Sequence, residues 1–181
     1  MSQNGSNLHV VTLCTGNAAR SVMAGIMLSQ LAENEGLSLR VTTAGTHVLE
    51  GQPMGMRTKE AILAIGELDA TELGRHRSHQ LTDEDCATAD LVVCMEADHV
   101  RYVRRIHPEA AGHTATIHRV TSEVAASDEP FPHRLRALDL ATVDLASEID
   151  VLDPAGGDQA TYDACAREIW ELSQALITLL G

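Results

Sequence analysis

The chain has 181 residues, a formal net charge of −13 and 44% hydrophobic residues. This length and this share of apolar side chains predict one folded domain over residues 1–181 with a sizeable core. The acidic balance argues against nucleic acid as a partner, because binding to a phosphate backbone needs basic surface. No apolar run approaches the roughly 20 residues needed to span a bilayer, so we expect no membrane association.

The N-terminal tail of residues 1–7 is polar and contains neither a basic segment nor an apolar core, so no secretory signal is expected. The four cysteines show no metal-ligand spacing and are too few for a disulfide scaffold; they are Cys14, Cys86, Cys94 and Cys165. We therefore expect reduced thiols, no metal, no cofactor and a cytoplasmic location. Of the other thiols, we expect Cys94 and Cys165 in the core and Cys86 partly exposed.

Hydrophobic periodicity predicts strands that alternate with helices along the chain. The predicted strands cover residues 8–13, 38–43, 90–95 and 114–118. The predicted helices cover residues 21–35, 55–67, 82–87, 97–106 and 158–180. Gly36 is expected to end the first helix, and Thr82, with Asp85 three residues later, is expected to cap the third. This alternation is typical of a three-layer α/β fold, in which a four-stranded parallel sheet has helices on both faces.

Residues 119–150 form an enlarged segment in which the periodicity weakens. We expect an irregular stretch followed by a short helix at about 134–147. This segment could fold over a pocket and bring His133, Arg134 or Arg136 toward a substrate. A solvated insertion with no part in the chemistry is an equally consistent interpretation.

The most informative stretch is residues 8–21, LHVVTLCTGNAARS, which reads as a strand, a short loop and the start of a helix. Such a loop can point successive backbone N–H groups inward and bind a dianion at the positive end of the helix dipole. Cys14 would lie at the bottom of this loop, where the helix terminus and Arg20 favour the thiolate form. Arg20 can hold two phosphate oxygens in a bidentate grip. The spacing alone is also compatible with a buried cysteine and an unrelated arginine.

The stretch CTGNAARS-x-MA resembles the phosphate-binding loop C-x-G-N-x-C-R-S-P-M-A-E of the low-molecular-weight protein tyrosine phosphatases. Further segments resemble the same family in the same order, namely TTAGT at 42–46, HRSHQLT at 76–82, ADLVVCME at 89–96 and Asp153-Pro154. The resemblance covers most of residues 8–181. It implies the family's three-layer fold and a cysteine-dependent phosphatase.

By this resemblance, the catalytic residues are Cys14, Arg20 and Asp153. The Cys14 thiolate attacks phosphorus to form a phosphocysteine, and Asp153 first protonates the leaving oxygen and then activates water. Ser21 is expected to donate a hydrogen bond to the Cys14 sulfur, and Asn17 to shape the loop. The substrate-binding residues are Thr15, Gly16, Asn17, Ala18, Ala19 and Ser21.

Several positions depart from the family pattern. Ala19, Val22 and Gly25 replace a cysteine, a proline and a glutamate of the loop motif, and none of these changes removes a reacting group. The two aromatic walls that flank a phosphotyrosine ring in the family are replaced by Leu49 and Ala155. Phosphotyrosine is thus the family's default, and phosphoarginine and small phosphate esters stay open as substrates. The loop threonine that distinguishes the related phosphoarginine enzymes would fall at Ala18.

Two other functions are compatible with the same loop. Arsenate reductases of this fold relay oxidation through two further cysteines, but this chain has no cysteine from Met95 to Asp163. A non-catalytic module that binds phosphorylated partners would need neither the nucleophile nor the acid.

His76 and His79 could form a metal pair, yet no third ligand is evident nearby. The expected partner is therefore a phosphorylated protein or a small phosphate ester; the sequence does not indicate the oligomeric state.

Overall fold

A sheet of four parallel strands forms the centre of the computed structural model, which describes residues 7–181 and, for Glu72, the backbone alone. The strand order is β2-β1-β3-β4. The strands are β1 (Leu8–Cys14), β2 (Leu39–Gly45), β3 (Leu91–Cys94) and β4 (Thr114–Thr116). Because the strands are parallel, their carboxyl ends lie at one edge of the sheet, where ligands bind in such folds.

Seven α-helices follow or connect the strands within residues 7–181. They are α1 (Arg20–Glu35), α2 (Met56–Ala64), α3 (Asp83–Thr88), α4 (Ala97–Ile106), α5 (Ile117–Glu123), α6 (Phe131–Arg136) and α7 (Gln159–Leu180). Short 3-10 segments cover Ala70–Arg75 and Pro108–His113. Gly36 ends α1 with a φ of 65°, and Thr82 caps α3 together with Asp85, so both end signals in the sequence are confirmed.

The two faces of the sheet build two separate apolar clusters. Along β1, Val10 and Cys14 belong to the cluster that includes α1 and α7. Val11 and Leu13 belong to the cluster that includes α3 and α4. This alternation follows from the two-residue period of a strand, which sends successive side chains to opposite faces. The predicted three-layer α/β fold is confirmed.

The fourth strand is shorter than predicted. It ends at Thr116, and the chain then turns into α5 rather than continuing as a strand to His118. The Thr116 hydroxyl accepts a hydrogen bond from the Arg119 backbone N–H at 3.2 Å, which is the arrangement of a helix N-cap. Threonine is favourable both in a strand and as a helix N-cap. Hydrophobic periodicity alone therefore placed the end of the fourth strand two residues too late.

The helix predicted at 134–147 is also wrong. The helical residues are those of α6, which begins after Pro130, and residues 137–158 contain no helix or strand. Pro132 fits the first turn of a helix, where its missing N–H is no loss. Asp139 has a φ of 47°, and a left-handed residue cannot continue a helix.

Residues 1–6 of the predicted polar tail lie outside the described part of the chain. Across residues 7–181, no helix combines the length and the apolar character that crossing a membrane requires.

Candidate active site

Cys14 is the last residue of β1, and α1 begins at Arg20, so residues 15–19 form a loop at the carboxyl edge of the sheet, as predicted. The end of β2 supports this loop closely. A Cβ atom on Gly45 would lie 2.6 Å from the Thr15 carbonyl oxygen and 2.9 Å from the Asn17 nitrogen. Only glycine fits at this position, because any side chain would press on the loop backbone.

The loop presents unpaired donors at the start of a long helix. Within residues 7–181, the N–H groups of residues 15–19 donate no hydrogen bond to another protein group. They precede the 16-residue helix α1, whose dipole places partial positive charge at this end. Unpaired N–H groups at a helix N-terminus suit an anion with several oxygens.

A hydrogen-bond chain fixes the Cys14 sulfur. The Ser21 hydroxyl oxygen lies 3.0 Å from the Cys14 Sγ and 2.9 Å from the Asn17 Nδ2. Because the amide Nδ2 can only donate, Ser21 accepts from Asn17 and its own proton is free to point at the sulfur. Asn17 has a φ of 50°, and its carbonyl oxygen lies 3.0 Å from the His76 Nε2. This geometry aims the Ser21 hydroxyl hydrogen at the Cys14 sulfur. Burial lowers the pKa of His76.

Arg20 is only 2% exposed and makes three contacts with its neighbours. Its Nη1 contacts the Glu96 carboxylate and donates to the Val151 carbonyl oxygen at 2.8 Å. Its Nη2 lies 3.1 Å from the Asp153 Oδ2. The guanidinium is therefore held by two carboxylates, and Nη1 is occupied. The edge formed by Nε and Nη2 is the one with which two oxygens of a phosphate could pair.

The segment that carries Asp153 is anchored to the end of β3 and the start of α4. The Asp150 Oδ1 accepts a hydrogen bond from the Ala97 N–H at 2.8 Å. The Val151 N–H donates to the Met95 carbonyl oxygen, also at 2.8 Å. These two bonds bring a residue far along the chain to the edge of the sheet that holds Cys14.

Cys14, Arg20 and Asp153 line one cavity of about 270 Å³. Asn17 and Ser21 do not line it and support the loop from behind. Leu49 is 75% exposed and does not line the cavity, and neither do His133, Arg134 and Arg136. The remaining lining residues are Thr15, Gly16, Ala18, Ala19, Gly55, Thr58, Ala155 and Tyr162.

Glu96 and His99 also belong to the site, and the one signal for them in the sequence is that Glu96 ends the segment ADLVVCME, which resembles the family. The His99 Nδ1 accepts from the Glu96 N–H at 3.1 Å, so Nε2 carries the proton and donates to the Thr15 hydroxyl at 3.0 Å. Burial and the nearby charge of Arg20 lower the pKa of His99 to about 4. A neutral His99 thus ties the loop to α4 at neutral pH.

The other three thiols are buried and remain protonated. Burial raises the pKa of Cys86 and of Cys165 to about 12 and raises that of Cys94 well above its usual value. Cys94 and Cys165 lie in the core, as predicted. The prediction that Cys86 is partly exposed is wrong, because its side chain points from α3 into the apolar cluster that includes α4 and has no exposed surface.

One group of side chains brings three candidate metal-ligand atoms within 4.8 Å of one another, counting only residues that the structure describes; it consists of Asp83, His107 and Glu109. None of these residues lines the cavity at Cys14. His76 and His79 bind different partners, since His76 contacts the loop and the His79 Nε2 lies 2.8 Å from the Asp85 Oδ2.

Comparisons with known proteins show the family to which the chain is similar. The sequence model of the family described as low molecular weight phosphotyrosine protein phosphatase matches residues 9–135. A protein-arginine-phosphatase of Bacillus subtilis is 30% identical over 169 residues, which are 93% of this chain and 94% of that protein. Low molecular weight protein-tyrosine phosphatase A of Mycobacterium bovis is 39% identical over 109 residues, which are 58% and 62% of the two chains.

Solved structures show the same likeness over nearly the whole chain. A low molecular weight protein tyrosine phosphatase from T. tengcongensis superposes with a TM-score of 0.75 at 27% identity, covering 94% of this chain and 97% of that one. An arginine phosphatase from Geobacillus stearothermophilus gives a TM-score of 0.71 at 27% identity, covering 94% and 90%. The fold and the loop therefore define a cysteine-based phosphatase. The chain belongs to the low molecular weight phosphotyrosine protein phosphatase family.

Proposed function

We propose that this protein hydrolyses phosphotyrosine in proteins through a phosphocysteine intermediate, with Cys14 as nucleophile, Arg20 as the phosphate-binding cation and Asp153 as general acid. The observation that supports this assignment is the single cavity lined by all three side chains. A thiol at the bottom of an anion-binding loop and a carboxyl group in the same cavity are the two reactive groups that the reaction needs.

In the first step, the Cys14 sulfur attacks phosphorus and forms an S–P bond while the bond between phosphorus and the leaving oxygen breaks. Asp153 donates its proton to that oxygen, so the tyrosine leaves as a neutral phenol. The N–H groups of residues 15–19 and the Nε–Nη2 edge of Arg20 stabilise the equatorial oxygens of the transferred group, and Nη2 also lies 3.1 Å from the Asp153 Oδ2. This arrangement is preorganised, because the loop is held on β2 by Gly45 and on α4 by His99.

In the second step, the Asp153 carboxylate takes a proton from water as the water oxygen attacks phosphorus. The S–P bond breaks, and the products are inorganic phosphate and the Cys14 thiolate. The hydrogen bond from Ser21 stabilises that thiolate as it leaves, at 3.0 Å from oxygen to sulfur.

Phosphoarginine is a second candidate substrate, supported by the relative from Bacillus subtilis named a protein-arginine-phosphatase, which aligns with 93% of this chain. The same two steps apply, with a P–N bond broken in place of a P–O bond. At loop position 18 this chain carries the methyl group of Ala18, which offers no hydroxyl to a guanidinium. We therefore place phosphotyrosine first.

The proposed compartment is the cytoplasm, which agrees with four cysteines that are all unpaired. The proposed partners are phosphorylated proteins. Neither the compartment nor the identity of the partner protein affects the chemistry of the reaction.

The test compares the release of phosphate from matched phosphotyrosine, phosphoarginine and phosphoserine peptides. We expect turnover to be fastest with phosphotyrosine and to be abolished by Cys14→Ser for every substrate. Asp153→Asn should lower kcat by about 10²- to 10⁴-fold, since that is the usual contribution of a general acid. Unchanged turnover in the Cys14→Ser variant would contradict the proposal, and faster turnover of the phosphoarginine peptide would reverse the order of the two substrates.

A further inference from the structure

The catalytic cavity has lost the two aromatic walls described for the family, yet one aromatic ring lines it. Ala155 contributes only a methyl group, and Leu49 lies outside the cavity with 75% of its surface exposed. Tyr162 is the single aromatic residue among the side chains that line the cavity. It comes from the second turn of α7, and its side chain is partly buried.

Tyr162 also lines a second, larger cavity of about 630 Å³ next to the first. The two cavities share Gly55, Thr58 and Tyr162 as lining residues. We call the larger one the α2–α7 cleft, because the N-terminal turns of these two helices form its walls. Met56, which is 69% exposed, adds apolar surface to this cleft, whereas Arg57, Glu60 and Gln159 make the rest of its lining polar or charged.

The walls of the cleft are tied to each other and to the loop. The Gln159 Nε2 at the start of α7 donates to the Arg57 carbonyl oxygen in α2 at 3.0 Å. The Thr58 hydroxyl donates to the Ala18 carbonyl oxygen in the loop at 3.1 Å. A cleft held at a fixed distance from the phosphate-binding loop can orient a substrate without having to form first.

We propose that Tyr162 determines substrate specificity in this protein, by packing against the ring of phosphotyrosine in place of the missing walls, and that the α2–α7 cleft binds the peptide next to that residue. The inference rests on the proposed function. It places the substrate chain along α2 and α7, on the Tyr162 side of the loop and not along the segment that carries Leu49. A tyrosine ring packs on a second ring in an offset or edge-to-face arrangement.

The test measures KM and kcat for a phosphotyrosine peptide, together with the Ki of inorganic phosphate, which occupies only the loop. Tyr162→Ala should raise KM roughly tenfold, the change expected when an aromatic pair is lost, and should leave the Ki of phosphate within twofold. Tyr162→Phe should keep the KM of the wild type. Leu49→Ala is the matched control and should leave KM unchanged.

A rescue experiment separates packing from a general structural effect. Ala155→Phe restores an aromatic side chain at the cavity and should lower the KM of the Tyr162→Ala variant several-fold, with a smaller effect in the wild-type background. Equal KM values for Tyr162→Ala and the wild type would overturn the inference, as would a rise in KM for Leu49→Ala alone.

The proposed function and this inference can fail separately. A wild-type protein that releases no phosphate from any peptide contradicts the proposed function. The inference is then decided by titrating the phosphotyrosine peptide against Cys14→Ser protein with and without Tyr162→Ala. A roughly tenfold weaker Kd in the double variant supports it, and an unchanged Kd or no binding overturns it.

Discussion

The hydrogen bond from Ser21 to Cys14 can be tested by removing one oxygen atom. Ser21 is fully buried, and Ser21→Ala deletes the hydroxyl that lies 3.0 Å from the sulfur and 2.9 Å from the Asn17 Nδ2. The sulfur carries most charge when it leaves phosphorus in the second step. We therefore expect Ser21→Ala to slow the breakdown of the phosphocysteine more than its formation.

The size of the effect follows from the kind of bond that is lost. A hydrogen bond to a charged group contributes about 1.5–3 kcal/mol, which corresponds to about 10- to 150-fold in rate. Asn17 is buried as well, and its Nδ2 would lose its acceptor. The same substitution should thus lower the free energy of unfolding by about 1–3 kcal/mol.

The assay follows p-nitrophenol release from p-nitrophenyl phosphate by stopped flow. Ser21→Ala should give a burst of close to one p-nitrophenol per enzyme molecule. The steady-state rate that follows should be about 10- to 150-fold lower than in the wild type. Ser29→Ala is the matched control, because Ser29 lies in the same helix and its hydroxyl donates to the Gly25 carbonyl oxygen at 2.8 Å, away from Cys14. A Ser21→Ala enzyme with a kcat within twofold of the wild type and no burst would refute the argument.

Two further predictions concern the support of the loop. Gly45→Ala should lower kcat/KM at least tenfold in a peptide assay, because the new Cβ would lie 2.6 Å from the Thr15 carbonyl oxygen, whereas Gly112→Ala meets no atom within 4 Å and should have no effect. The pKa of His99 is lowered from 6.5 to about 4 in the folded protein, so the unfolded chain takes up a proton first as the pH falls. This single group should reduce the free energy of unfolding by about 2 kcal/mol between pH 7 and pH 5. Urea titrations at both pH values measure this change, and an equal pH dependence in His99→Gln would show that another group causes it.

The fold class and the loop could be predicted from the sequence because both depend on local order. Alternating strand and helix periods specify a parallel α/β sheet, since successive parallel strands need a crossover helix. Cys14, the short loop and Arg20 are adjacent in the chain, so their arrangement follows from one strand, one turn and one helix start. The same holds for Gly36 and Thr82, whose roles at helix ends depend on neighbouring residues alone.

Residues 114–150 were predicted less well, because local signals compete there. Thr116 fits a strand by its branched side chain and fits a helix cap by its hydroxyl, and the cap prevails. Pro132 fits the first turn of a helix, so α6 begins at Phe131, before the start of the helix predicted at about 134–147. In such segments, packing against the core decides between alternatives of similar free energy.

The amino-acid sequence by itself determined the layered fold, through its alternating periods, and the loop between Cys14 and Arg20, whose residues are adjacent in the chain. Only the tertiary structure decided that Glu96 and Asp153 both hold Arg20, that His99 supports the loop, and that Tyr162 lines the cavity. Each of these contacts joins residues far apart in the chain. Their distances depend on how helices pack on the sheet, which no local pattern specifies.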